Sequence, residues 1–299
     1  MIPRHGPRLA YALLLLAPGL WSANMIVARW AAGWFPPHAL AFWRWTIALL
    51  PMLALCGAVL WRRRAELRRE WRDLLLLGAL GMWVCGAFVY IAGETTSATN
   101  IGLIYAGVPI LVMLLSARVF HEPLSGAQLT GAIIALTGVL AIVLKGDPGS
   151  LLRLAFTRGD LWALTAAGCW AVYTVLLRHR PTTLDPFLRL TAITAAGILV
   201  LAPFTLAESQ LVGVPPLEWR ALFAAVVVGL LPGFGAYQAY SWLVRELGAA
   251  RAGLVLYLTP LYTAGIAWGL LGEPVRWYHA LGAALVFPGL LLANRGARR

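Results

Sequence analysis

Charge is what this chain is short of. Only 12% of its 299 residues are Asp, Glu, Lys or Arg, against roughly 25% in a soluble domain. Disorder and coiled coil are excluded on that ground, and an ordinary soluble enzyme nearly so. Lysine is almost missing: among 24 basic residues only Lys145 is not arginine. Three cysteines, Cys56, Cys85 and Cys169, are too few and too scattered for a disulfide framework or a zinc knuckle. There is no Cys-x-x-Cys, no His-Glu-x-x-His and no Walker glycine loop, and Gly233-Phe234-Gly235 lacks both the preceding strand and the third glycine of a dinucleotide fingerprint. No catalytic residue, metal or cofactor is therefore expected. The 12 acidic residues all fall in loops or near the ends of apolar stretches, so no carboxylate stands at the mid-depth where a proton relay places one.

What is abundant is apolar length. The chain is 61% hydrophobic with a mean hydropathy of +0.77. Ten stretches approach the 20 or so apolar residues a helix needs to cross a bilayer: 9–30, 37–60, 74–93, 98–119, 125–145, 160–178, 186–207, 221–243, 251–271 and 276–295. The fold class expected is an all-α integral membrane protein of ten transmembrane helices, because helices satisfy their backbone hydrogen bonds within each span. The net charge of +12 is then a matter of orientation rather than of nucleic-acid binding. With a cytoplasmic N-terminus, 17 basic residues lie inside, including the run Arg62, Arg63, Arg64, Arg68, Arg69 and Arg72, and six lie outside. That bias places both termini in the cytoplasm and marks the arginine run as a topology anchor that touches anionic lipid. The first stretch is longer than a signal-peptide core, and the repetition described next needs it in the mature chain.

The chain is written twice. Gly19-Leu20-Trp21-Ser22 returns as Gly168-Cys169-Trp170-Ala171, and Phe42-Trp43-Arg44-Trp45-Thr46 as Phe187-Leu188-Arg189-Leu190-Thr191. Ala98, Gly102, Pro109, Glu122-Pro123, Gly131 and Gly138 recur 151 positions later as Ala249, Gly253, Pro260, Glu273-Pro274, Gly282 and Gly289. Each copy, 1–148 and 149–299, holds five stretches. An odd number makes the second copy enter the membrane from the opposite side. Inverted repeats of this kind build secondary transporters, with the substrate near the midplane between the halves.

These residues resemble a family. Ten spans in a 5+5 inverted arrangement, a Gly-x-Trp first helix, Phe-x-Arg in the second and a repeated Glu-Pro turn are similar to the EamA-type drug/metabolite transporters, over essentially the whole chain. The resemblance implies transport by alternating access and leaves the cargo open. A narrower similarity, carried by length and mid-helix aromatics, is to the YddG-type exporters of aromatic amino acids.

The residues that could line a path follow from depth and chemistry. Trp21 and Asn24, and in the second copy Trp170 and Tyr173, share one face of their helices. Mid-span indoles want an acceptor that lipid does not supply, so these faces turn inward. Trp83, Tyr105, Tyr237, Gln238 and Tyr257 complete the candidate substrate-binding set. An aromatic wall with a few polar groups suits a largely apolar ligand with a small polar end. An aromatic or hydrophobic amino acid fits, with a cationic drug or another metabolite such as a sugar or nucleoside as alternatives and a membrane-embedded enzyme a distant one. Phosphorylated cargo is disfavoured because the arginines read as peripheral. Pro109 and Pro260 are matched hinge candidates, each freeing a carbonyl one turn earlier. Arg44 and Arg189, a turn or two inside their helices, are expected to snorkel to the interface. The partners expected are a small-molecule substrate and membrane lipid, with no nucleic acid, the protein being a monomer or weak homodimer in a bacterial inner membrane.

Overall fold

The computed structural model describes residues 7–96, 98–153, 156–214, 218–271 and 275–295. Glu273-Pro274, the second copy of the Glu-Pro turn, lies outside these, as do Arg4, Arg298 and Arg299. No strand occurs among the described residues. The helical runs group as α1 (Pro7–Ala31), α2 (Pro37–Arg62), α3 (Arg64–Thr95), α4 (98–119), α5 (Gly126–Val143), α6 (Arg158–His179), α7 (Pro186–Val212), α8 (Trp219–Leu247), α9 (249–271) and α10 (Trp277–Arg295). Among the described residues seven helices, α2 to α8, are long and apolar enough to cross a bilayer, and two shorter apolar stretches fall within α1 and α10. The ninth run lacks one continuous α-helix because Leu254–Leu258 is wound as 3-10 helix. Leucines such as Leu55, Leu199 and Leu206 stand 66 to 71% exposed on the outside of the bundle, an apolar surface that water would not tolerate and lipid requires. These are the features of a multi-pass membrane protein.

Helix starts carry legible signals. Ser125 and Gln128 form a capping box on α5. At α7, Asp185 accepts the amides of Phe187 and Leu188 ahead of Pro186 at the first helical position. Asp160 accepts the Thr157 amide at the start of α6 and also takes a hydrogen bond from Asn100 (3.0 Å), fastening α4 to α6. α2 begins after Pro36 without a cap of its own. Glu208 of α7 supplies one, accepting from the amides of His38 (3.0 Å) and Ala39 (2.8 Å), where the helix dipole favours a negative charge. α8 and α9 are joined by Gly248 alone, at φ +85°, a conformation that a Cβ would penalise.

Packing recurs in exchanged pairs. α1 lies on α8 as α6 lies on α3; α2 meets α8 as α7 meets α3; α4 meets α6 as α9 meets α1; α2 meets α7, α4 meets α9 and α5 meets α10. The α5–α10 seam is antiparallel, since Gly131 faces Gly289 while Gly138 faces Gly282. A Cβ on Gly138 would fall 2.7 Å from the Gly282 carbonyl oxygen, and one on Gly289 would fall 2.6 Å from that of Gly131. Small residues let these backbones touch. α3 and α8 each carry a π-helical segment, Ala79–Val84 and Gly229–Ala236, 150 positions apart.

Charged and polar contacts gather at one end of the bundle. Arg180 pairs with Asp73 (3.2 Å), Glu70 accepts from the Thr182 hydroxyl (2.7 Å) and the Thr183 amide (3.1 Å), and Arg178 donates to the Arg245 carbonyl (2.6 Å). The arginine run at the start of α3 is thus gathered with the C-terminal ends of α6 and α8 at one end. The stretch expected at 74–93 proves to be the upper part of a longer helix, whose first turns, Arg64–Asp73, extend the apolar segment with an arginine-bearing amphipathic face.

Candidate functional site

Six aromatic side chains from four helices meet at the centre: Trp21 of α1, Trp45 of α2, Trp170 and Tyr173 of α6, and Tyr237 and Tyr240 of α8. All are buried. Trp21 is edge-on to Trp170 (centroids 5.5 Å apart) and to Tyr240 (5.2 Å). Tyr237 lies 4.8 Å from Trp45 and 5.3 Å from Trp170. Offset and edge contacts of this kind add to area burial. The π-helical segment of α3 turns two carbonyls toward the cluster. Gly81 O accepts from the Tyr237 hydroxyl (3.1 Å) and Met82 O from the Trp45 indole (2.8 Å). Such π turns loosen the regular ladder and recur at functional sites.

Polar groups remain inside this core. Tyr240 shares a hydrogen bond with Thr174 (3.0 Å), and Tyr90 donates to Asn24 Oδ1 (2.7 Å). The Trp170 indole nitrogen, close to Tyr240, and the Tyr173 hydroxyl, close to Ser241, close no hydrogen bond of regular geometry. Buried donors of that sort call for an explanation, and a ligand is one. The six rings are packed against one another, and a cleft opens away from them. It is about 280 Å³ in volume and stands at the arginine-rich end, between Glu122, Arg178 and Glu246.

Of the residues singled out from sequence, Trp21, Asn24, Trp170, Tyr173 and Tyr237 are brought together here. Tyr105 is half-buried against the same core. Trp83 is turned elsewhere, stacked on Phe204 of α7 at 3.9 Å and edge-on to Phe88. Tyr257 is buried in a second cluster with Met113, Leu254 and Val286. Gln238 is half-buried, its amide nitrogen without a partner. Pro109 and Pro260 both stand one residue into a fresh helical segment: α4 breaks at Gly107, whose amide reaches back only three residues to Ile104 O (3.2 Å), and α9 restarts at Thr259 after its 3-10 turn.

Tyr240 and Trp45 were not anticipated. The spacing of Tyr237 and Tyr240, three apart on one helix face, was the available signal for the first, and the adjacency of Trp45 to the repeated arginine for the second. The arginines themselves need correcting. Neither Arg44 nor Arg189 snorkels: they are 3% and 7% exposed. Arg189 turns along the bundle to cap α6, donating to Leu177 O (2.6 Å) and Arg180 O (3.2 Å). Arg44 turns to the aromatic cluster, its guanidinium 4.6 Å from the Trp45 ring centre and 5.7 Å from that of Tyr237. Position along a helix does not reveal which way a long side chain runs.

Comparison with known proteins agrees with this architecture. The sequence profile of the EamA-like transporter family matches the chain twice, over residues 8–144 and 157–295. The uncharacterized transporter YyaM of Bacillus subtilis is 27% identical over 290 residues, covering 95% of this chain and 93% of its own. A protein of Streptantibioticus cattleyicolor named "Probable terminal-alkyne amino-acid exporter" is 27% identical over 302 residues, covering 95% and 97%. A solved crystal structure superposes with a TM-score of 0.76 over 97% of this chain and 98% of its own at 23% identity, which shows that the fold is shared.

Proposed function

The chain belongs to the EamA-like transporter family, and from that premise we propose that it is a secondary transporter exporting aromatic or hydrophobic amino acids by alternating access. In this reading ten helices cross a bacterial inner membrane as two inverted five-helix copies, 1–148 and 149–299, with both termini in the cytoplasm. The exchanged helix pairs, the matched π segments and the twofold family match support the inversion. The antiparallel α5–α10 seam supports it as well, because equivalent helices of inverted copies must run in opposite directions.

The observation that carries the cargo is the central cluster, to which the first copy gives Trp21 and Trp45 and the second gives Trp170, Tyr173, Tyr237 and Tyr240. It lies where the copies meet, and its rings and indole and hydroxyl groups suit a flat apolar side chain. The amino-acid cargo in the name of the Streptantibioticus relative points the same way. Pro109 and Pro260 serve as bending points, since both follow a helix break. Counterflow of labelled phenylalanine or tryptophan in proteoliposomes tests the reading. Exchange that exceeds protein-free vesicles and falls when Trp21 or Trp170 is replaced by Ala supports it. Full rates in both folded variants, or no exchange at all, contradict it.

Energy coupling follows from what the core lacks. The buried acid Asp160 is committed to the start of α6 and Glu208 to the start of α2, leaving, among the described residues, no carboxylate in the cluster to carry a proton. Counterflow is accordingly expected to proceed at the same rate with and without an imposed pH gradient. An obligatory dependence on the gradient would refute uncoupled exchange.

A further inference from the structure

Arg44 is a buried charge, 3% exposed, with no ion-pair partner among the described residues. Its Nη1 makes one long hydrogen bond, to the Tyr90 hydroxyl (3.4 Å), and its Nε makes none. Around it stand Asn24, Trp45, Tyr90 and Tyr237, all neutral. A guanidinium cannot escape by losing its proton. A buried, uncompensated charge costs several kcal/mol, and the cation–π contacts with Trp45 and Tyr237 offset only part of that.

The matched position in the second copy shows that such burial has another solution. Arg189 directs both terminal nitrogens to the last carbonyls of α6, although its Nε, like that of Arg44, is without a partner. Arg44 stands a turn deeper, the eighth residue of α2 against the fourth of α7 for Arg189. It enters the aromatic cluster, and the symmetry of the two copies is broken there.

We propose that Arg44 anchors the carboxylate of the cargo, so that the protein selects monocarboxylic acids with an apolar side chain. This rests on the transport reading above and names its substrate class. The fork of five donors suits a planar carboxylate. Asn24 Oδ1 and the tyrosine hydroxyls are acceptors for an α-ammonium beside it, and the rings that Tyr237 joins to Arg44 receive the side chain. A single guanidinium matches a monoanion, whereas a phosphate dianion calls for more than one cation. Cationic drugs are selected against, because the aromatic faces they would use already hold a positive charge.

The test is a panel of unlabelled competitors against labelled phenylalanine counterflow in proteoliposomes: phenylalanine, 3-phenylpropionate, phenylalaninamide and phenethylamine. The two acids are expected to compete at least about tenfold better than the amide and the amine, as a lost charge-assisted pair dictates. Arg44→Gln should abolish that preference, while Arg44→Lys, which keeps the charge and loses the fork, retains part of it. The wild-type panel needs no variant, so a poorly folding Arg44→Gln does not decide the matter. Equal competition by phenethylamine and phenylalanine overturns the role of Arg44 and leaves the aromatic cargo standing. Absence of phenylalanine exchange in the wild type overturns both.

Discussion

Two arginines at matched positions make different uses of one side chain, and each use has its own consequence. Arg189 satisfies two carbonyls at the end of α6, so Arg189→Ala leaves them buried and unpaired at a cost of about 1–3 kcal/mol. A lowered thermal unfolding midpoint in detergent, with substrate preference unchanged, is the expected result; a shifted preference would mean that Arg189 also reads cargo. Trp170 is expected to behave in the opposite way. Trp170→Ala should cost transport several-fold while the protein stays monodisperse, since its ring touches Trp21, Tyr173, Tyr237 and Tyr240. The tryptophans could be read from the sequence because both stand mid-span at repeated positions, where lipid has nothing to offer an indole N–H. The direction of Arg44 could not, because its depth along α2 is compatible with a path outward to the interface or inward to the rings. Tyr257 shows the converse: its place beside a matched proline was visible, while the second cluster that buries it depends on how α4, α5, α9 and α10 close together.

At the level of single helices the seam and the breaks bear the most weight. Gly138 and Gly289 admit a neighbouring backbone, and a larger side chain at either forces α5 and α10 apart. Gly138→Leu is expected to destabilise by about 1–3 kcal/mol or more, read as a lower midpoint of unfolding. Unchanged stability would show that the seam opens in solution. The breaks at Gly107 and at Leu254–Leu258 place Pro109 and Pro260 where α4 and α9 can bend. Replacing both prolines by Ala should slow exchange while leaving substrate binding, measured by thermal shift, close to wild type. Loss of binding in proportion to rate would make them parts of a static scaffold. Helix positions were largely legible because apolar length marks them. The π segments were not, since Pro232 and three glycines suggest a disturbance in α8 but nothing comparable marks Ala79–Val84. The amphipathic start of α3 falls outside the stretch 74–93, its arginines masking a helical continuation that the contacts of Glu70 with Thr182 and Thr183 hold in place.

For the molecule as a whole, the repeated residues predict how the two copies relate, and the exchanged helix pairs support that proposal. Trp61 and Arg178, both exposed and at the arginine-rich end, are expected to label from the same compartment when converted singly to Cys in a background lacking Cys56, Cys85 and Cys169. The bundle is tied at both ends, by Glu70 with Thr182 and Thr183 and by Arg180 with Asp73 at one, and by Glu208 with His38 and Ala39 at the other. Each tie joins the first copy to the second. If the copies rock about the aromatic centre, opening one set must accompany closure of the other. Spin labels on α3 and α7 at the arginine-rich end, and on α2 and α7 at the opposite end, read this directly by electron–electron distance measurements with and without phenylalanine. Rocking predicts two populated distances at each end that shift in opposite directions as substrate is added. Distances that lengthen together, or stay single and unmoved at both ends while exchange proceeds, would contradict it.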